Sequence, residues 1–401
     1  MKASRYLVGL VSVLLVISVQ IGCAPPAPVE VKPLAPIKVG MLTSLSGSLA
    51  NIGQGLIDGF NLYLDEVGHE IKGRSIELIV EDDAGSPAVG LTKIAKLVEK
   101  DQVQILTGIV QTGIGYAVRD YVHQAQVPLV IANAGGIGLT AEKRSPYIFR
   151  TGHGSNDQEN VTMPDYMRNE LGLSKIILIY SDIGAGIEKV GTIKTGFVAL
   201  GGSIVQEDIK VPFGTSDFGP YLSRINPASA DAVVAWFSGA DAIGFVKQFD
   251  EFGLKARIRL LGSDGLVDEG TLAQQGESAL GINLTEVYCR ALDNPENKAF
   301  LKNFKAKYGS LPDLWDDMGY TAAKAIGIAI EGVGGNVEDK AKFLETLRGV
   351  QFNDPRGPIS FDKYQNVVMN TYMMRIVKVG GEVQMIPIYT YPNRHQSYSG
   401  D

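Results

Sequence analysis

From Ile37 onward, short apolar runs alternate with stretches of helical periodicity, and the alternation occurs twice. Ile37-Lys38-Val39-Gly40-Met41-Leu42 is strand-like and ends in a Ser/Gly loop. Ile52, Leu56, Phe60, Tyr63, Leu64 and Val67 then recur at helical spacing. Ile76, Leu78 and Val80 alternate as a strand does, and Asp82-Asp83-Ala84-Gly85 turns the chain. Ser86-Pro87 opens a helix, with Ser as cap and Pro at the first position. Val103 to Val110 reads as strand, Ile114 to Gln124 as helix and Pro128 to Ala132 as strand. After a pause at Thr151-Gly152-His153-Gly154-Ser155-Asn156 the pattern restarts. Strands are expected at Ile176–Tyr180, Ala232–Phe237 and Ile258–Leu261. Helices are expected at Ile187–Leu200, closed by Gly201-Gly202, and at Ala240–Phe252. Such series form βαβ units on parallel sheets, so two similar α/β lobes are expected. The remainder is more helical (Asn297–Tyr308, Thr321–Val333, Lys340–Leu347) and ends in a hairpin. Thr371–Val379 and Val383–Ile388 are its arms, and Gly380-Gly381 is its turn.

With 401 residues, the chain is longer than a single core usually supports, which also favours two domains. Its net charge of −7 gives no basic footprint for nucleic acid. The four histidines (His69, His123, His153, His395) lack metal-ligand spacing, and there is no C-x-x-C or H-E-x-x-H, so no metal and no cofactor are expected. Neither a phosphate-binding loop, a complete G-x-G-x-x-G nor a G-x-S-x-G elbow is present, which argues against an enzyme. Adjacent acids such as Asp82-Asp83 and Asp316-Asp317 read as turn or solvated residues.

Residues 1–22 carry Lys2 and Arg5, then an apolar stretch from Tyr6 to Val19 that is short for a membrane span. The stretch ends at Gly22-Cys23. This resembles a bacterial lipoprotein signal, which implies cleavage before Cys23, lipidation of its sulfur and an extracytoplasmic location. Gln20 stands where such signals usually carry Leu. Residues 23–36 are Pro-rich and form a semi-rigid tether. Cys289 then stands alone, which leaves no structural disulfide.

Ligands of open parallel sheets bind beyond the carboxyl ends of the strands. Those ends are here small and polar: Ser44-Leu45-Ser46-Gly47-Ser48, Gln111-Thr112-Gly113, Asn133-Ala134-Gly135-Gly136 and Gly262-Ser263-Asp264-Gly265. Small residues let backbone N–H groups approach an anion at a helix start. A cleft between two such edges suits a small carboxylate.

The order and spacing of these segments, with Glu81-Asp82-Asp83-Ala84-Gly85, Val127-Pro128-Leu129-Val130-Ile131, Gly214-Thr215-Ser216-Asp217-Phe218 and Tyr320-Thr321-Ala322-Ala323, resemble one family. It is that of the type I periplasmic solute-binding proteins of ABC importers, in the branched-chain amino acid class. The resemblance runs from about Ile37 to Ile388. It implies two Rossmann-like lobes joined by a three-crossing hinge. Lobe 1 would take 37–152 plus 288–366 and lobe 2 would take 153–287 plus 367–391, with a C-terminal tail at 392–401. It implies hinge closure on a ligand, a monomeric chain, and a permease with its ATPase as partners.

By the same resemblance, Thr112 and nearby amides hold the ligand carboxylate, and Asn133, Ala134 and Gly135 form the next contact. Gly135 stands where leucine-binding relatives carry Thr. Asp264 matches an acid that pairs with a ligand ammonium. Ile52 and Ala185 replace aromatics, Ser238 lines a lobe-two edge, and Trp315 falls at an aromatic position. The ligand stays open among branched-chain and other amino acids, aromatic acids and amides. Two other readings share the fold: a sensory module reporting to a signalling partner, and a secreted enzyme.

Overall fold

The computed structural model describes residues 35–398; Cys23, the leader 1–22, most of the tether and residues 399–401 lie outside the described residues. Ala35 onward forms one compact unit built on two sheets. The first has the order β2-β3-β1-β4-β5-β6. Its strands are β1 (Ile37–Thr43), β2 (Glu70–Ile71), β3 (Arg74–Asp82), β4 (Ile105–Gly108), β5 (Leu129–Ile131) and β6 (Ile148–Arg150). Every pairing in it is parallel except that of β2 with β3. Helices α1 (Ala50–Glu66), α2 (Pro87–Ala95) and α3 (Thr112–Ala125) make its crossovers. With helices on both faces, Ile37, Val39, Met41 and Leu42 of β1 are all fully buried, as expected of a central parallel strand.

The second sheet repeats the plan with β7 (Lys175–Ser181), β8 (Ser203–Ile204), β9 (Ile209–Val211), β10 (Ala232–Trp236), β11 (Arg259–Gly262) and β12 (Asn283–Glu286). Here the crossovers are α4 (Gly184–Ala199), α5 (Gly239–Glu251) and α6 (Glu269–Gln275). An antiparallel extension joins it: β13 (Phe352–Asp354), β14 (Gly357–Phe361), β15 (Val367–Val379) and β16 (Glu382–Arg394). The expected hairpin at Gly380-Gly381 is present, and both glycines have positive φ. Beyond Ile388 the strand continues to Arg394, and the buried Gln396 bonds Thr140 and Asp362.

Between β12 and β13 lie α7 (Pro295–Tyr308), α8 (Leu314–Gly332) and α9 (Lys340–Arg348). Helix α8 starts seven residues before the expected Thr321, because Asp313 and Asp316 form a reciprocal capping box there. Asp316 and Asp317, read from sequence as solvated, are instead buried in its first turn. Helices α1 and α8 touch through glycine: a Cβ on Gly59 would stand 1.8 Å from the Asp316 carbonyl oxygen, and one on Gly319 2.2 Å from that of Leu56.

The chain passes from the first sheet to the second after β6, and an isolated parallel bridge joins Arg150 of β6 to Asn366, between β14 and β15. Side chains stitch these passages together. Buried Arg356 donates to the carbonyls of Thr151 (2.7 Å) and Gly152 (2.8 Å), and buried Arg150 donates to Asn366 Oδ1 (2.7 Å). These bonds fix the backbone just before His153.

Candidate functional site

In each sheet one strand has neighbours that the chain reaches in opposite directions, and there the crossovers diverge. The divergence lies between β1 and β4 in the first sheet and between β7 and β10 in the second. Loops at such points part and leave a crevice. A narrow cavity joins the two crevices. Leu49 and Ile52 line it after β1, Gln111 and Thr112 after β4, Ile183 and Ala185 after β7, and Trp236 and Ser238 at and after β10. Asn133, Gly135, Asp264, Trp315, His153, Asn156 and Lys189 complete the wall with Val110 and Gly265.

Of the nine residues singled out from sequence, the structure thus brings eight to one cavity: Ile52, Thr112, Asn133, Gly135, Ala185, Ser238, Asp264 and Trp315. Ala134 is not in the wall. It is buried, its N–H donates to the Ile109 carbonyl (2.9 Å), and its Cβ faces Gly115.

One end of the cavity suits an anion. Thr112 is the first residue of α3, and the preceding Gln111 gives the helix no side-chain cap. Helices α4 and α5 also begin at the cavity, at Ile183 and Ser238, without side-chain caps. Helices α6, α7, α8 and α9 are capped by Asp268, Asn294, Asp313 and Asp339, whereas α2 begins at Ser86 without a side-chain cap. Uncapped N–H groups at a helix start favour negative charge. Just before Thr112, Ile109 has a φ of 63°, a region costly for a β-branched residue. It is held there by its N–H bond to Leu42 (2.7 Å).

Gly135 is explained by its neighbour. A Cβ there would lie 2.1 Å from Asn156 Oδ1. The Asn156 amide occupies that space and donates to Thr112 Oγ1 (3.3 Å) and Glu188 Oε2 (2.8 Å). Glu188, on α4, also accepts from Tyr116 Oη on α3 (2.9 Å) and from the Ile137 N–H (2.9 Å). It therefore ties the two sides of the cavity together.

The other end holds a buried charge cluster. Asp264 Oδ1 accepts from Lys189 Nζ (2.5 Å) and from Ser263 Oγ (2.7 Å), and its Oδ2 lies 3.2 Å from His153 Nε2. Lys189 Nζ also donates to Glu159 Oε1 (2.6 Å). Lys189, Glu159, Asp264 and His153 are all buried. Burial and the nearby Lys189 and Arg356 charges, opposed by Asp264, push the His153 imidazole down to about 3, so it is neutral near pH 7. Its ring meets Trp315 edge-on, with centroids 5.5 Å apart. Burial outweighs the pairing with Lys189 for Glu159, whose carboxyl is raised well above the usual range. For Asp264 the Lys189 ammonium and its hydrogen bond win over burial, and its carboxyl stays ionised.

Several wall residues have a buried polar atom without a partner within the protein. Gln111 Nε2, Trp236 Nε1 and Trp315 Nε1 are donors; Asn133 Oδ1 and His153 Nδ1 are acceptors. Unpaired buried polar groups are costly, and here donors and acceptors belong to residues that wall one cavity. Among the described residues, His153, Glu159 and Glu286 form the one group with metal-ligating atoms close together, within 4.8 Å. The Lys189 ammonium on Glu159 already supplies a cation at that place.

Sequence reasoning missed Gln111, His153, Asn156, Lys189 and Trp236. For Lys189 a signal was available: it follows Ala185 by one helical turn, so the two share a face.

A ligand cavity enclosed where the switch points of two parallel sheets meet defines a two-lobed solute-binding protein of Rossmann-like plan. The chain belongs to the periplasmic binding protein family, whose model matches residues 36–382. It is 31% identical over 348 residues to "Leu/Ile/Val-binding protein homolog 6" of Brucella melitensis, covering 85% of this chain and 88% of the relative. An ABC transporter substrate-binding protein from Sphaerobacter thermophilus is 37% identical, with a TM-score of 0.84 over 90% of this chain and 99% of that one. A solute-binding protein of an ABC transporter from R. palustris, solved in complex with 4-hydroxybenzoate, is 31% identical, with a TM-score of 0.84 over 90% of this chain and 98% of that one.

Proposed function

We propose that this chain is the extracytoplasmic ligand-capturing component of an ABC importer, and that its ligand is a small aromatic carboxylate rather than an amino acid. The Lys189–Asp264 pair carries this reading. A ligand ammonium needs a buried acid to receive it, because an unpaired buried charge is expensive. Asp264 is the acid on the cavity wall, and the Lys189 ammonium lies 2.5 Å from it. A ligand that brings its own ammonium would face that lysine. A carboxylate meets the uncapped start of α3 and Thr112, while Trp236, Trp315 and Ile52 offer apolar walls. The unpartnered His153 Nδ1 and Asn133 Oδ1 suit a ring hydroxyl. The R. palustris relative crystallised with 4-hydroxybenzoate supports the same class.

Capture proceeds by hinge closure. The ligand bridges both lobes and so favours the closed state through its differential affinity. Cys23 carries a lipid, the segment that follows it is a tether, and a permease with its ATPase receives the ligand from a single copy of the chain. The family's role is binding, and the chain is read as a receptor, not an enzyme.

The test is calorimetric titration of the purified protein with benzoate, 4-hydroxybenzoate, L-leucine and L-isoleucine. Binding of an aromatic acid without binding of either amino acid supports the reading. Binding of leucine or isoleucine in preference overturns it.

A further inference from the structure

We infer that Lys189 sets ligand class: its side chain is a built-in cation that fills the ammonium position of the cavity, so removing it converts the site from simple carboxylates to α-amino acids. This rests on the proposed reading of the ligand as a carboxylate. The geometry is specific. Lys189 stands one turn after Ala185 on α4, and both residues line the cavity. Its side chain is buried, and its ammonium uses two donors on Asp264 Oδ1 and Glu159 Oε1, at 2.5 and 2.6 Å. Asp264 is itself held in place by Ser263 Oγ and faced by the His153 ring. Three buried carboxylates (Glu159, Asp264 and Glu286) are gathered here, with Lys189 the cation bonded to two of them.

Without the lysine, the cavity gains room beside Asp264 and retains a carboxylate with no counter-ion. Such a group is satisfied only by a new cation or by a proton. A ligand ammonium entering the vacated space supplies the cation and keeps the ligand carboxylate at Thr112. The same vacated charge repels a ligand that is purely anionic. One lysine thus performs both sides of discrimination, attracting nothing new but excluding the wrong charge.

The test uses a matched pair of probes, L-phenylalanine and 3-phenylpropanoate, which differ only in the ammonium. Titrations of both probes are run at the same pH. The wild-type protein is expected to bind 3-phenylpropanoate at least about tenfold more tightly than L-phenylalanine, the factor that one charge-assisted contact supplies. Lys189→Ala is expected to reverse that order. Lys189→Ala/Asp264→Asn, which removes both charges, is expected to lose the gained L-phenylalanine binding and recover 3-phenylpropanoate binding. If Lys189→Ala does not fold, Lys189→Ala/Glu159→Gln leaves Asp264 as the acid that lost its partner, and the same comparison is made there. Folded variants that keep the wild-type order overturn the inference, as does L-phenylalanine binding that survives Asp264→Asn. A wild-type protein that prefers L-phenylalanine overturns instead the reading of the ligand as a simple carboxylate, so the two failures are distinct.

Discussion

Gly135→Ala tests the packing at the anion end of the cavity. The added Cβ would stand 2.1 Å from Asn156 Oδ1 and 2.8 Å from its Cγ, so the Asn156 side chain must move. That side chain is buried and held by hydrogen bonds. Moving it breaks its donation to Glu188 Oε2 (2.8 Å) and to Thr112 Oγ1 (3.3 Å). A hydrogen bond to a charged group contributes roughly 1.5–3 kcal/mol and a neutral one roughly 0.5–1.5 kcal/mol. Discounted for the partial exposure of Glu188, the loss is about 2–3 kcal/mol. Urea denaturation of the purified variant measures it. A double-mutant cycle with Asn156→Gly isolates the mechanism. With the amide gone, Gly135→Ala is expected to cost less than about 0.5 kcal/mol, the usual limit for uncoupled sites. Equal costs in both backgrounds would refute the argument, since the clash would then lie elsewhere.

Three further outcomes are expected. Thr112→Val removes a hydroxyl from the anion end and is expected to weaken binding by about 1–3 kcal/mol, the range for leaving a buried polar group unmatched; calorimetry checks it, and unchanged affinity removes Thr112 from the site. Glu188→Ala cuts the three hydrogen bonds that tie α4 to Tyr116, Ile137 and Asn156; it is expected to raise the ligand dissociation rate at least about tenfold with a smaller change in the association rate, read by stopped-flow fluorescence. Burial beside Asp313 pushes the Asp268 carboxyl up to about 8, so between the unfolded value near 4 and that pH the folded state keeps a proton the unfolded state has lost. Stability from this group therefore falls as pH rises from about 4 to about 8. Asp268→Asn retains the Oδ1 acceptor for the Gly270 and Thr271 N–H groups and is expected to flatten that part of the melting-temperature profile.

Local pattern revealed those parts of the fold that local pattern controls. The apolar run Ile176–Tyr180 and the Gly380-Gly381 turn each announce their structure within a few residues. Strand β12 does not, because its Asn283, Thr285 and Glu286 are polar yet buried. They are made tolerable by partners distant in sequence, such as Tyr166 Oη for Asn283 (2.9 Å) and Asn160 for Thr285 (3.2 Å). The start of α8 was missed for a related reason: Asp316 looks solvated until Asp313 is recognised as its capping partner. At the site, strand ends and small residues pointed to Thr112, Asn133, Gly135 and Asp264, and the family resemblance added Ile52, Ala185, Ser238 and Trp315. Asp264 was found as an acid on the wall, but its partner Lys189 was not, since a lysine on a helix reads as a solvated residue. Only the packing of α4 on β7 and β10 of the second sheet turns that side chain inward. The Gly135–Asn156 contact was equally hidden, because it joins a loop of the first sheet to the crossing between lobes.

The most direct measurement is a crystal structure of the protein soaked with 4-hydroxybenzoate. The ligand carboxylate is expected within hydrogen-bonding distance of Thr112 at the start of α3, with the ring beside Trp236 and Trp315 and the Lys189–Asp264 pair intact. A ligand carboxylate bound to Lys189, with that pair broken, would contradict this placement.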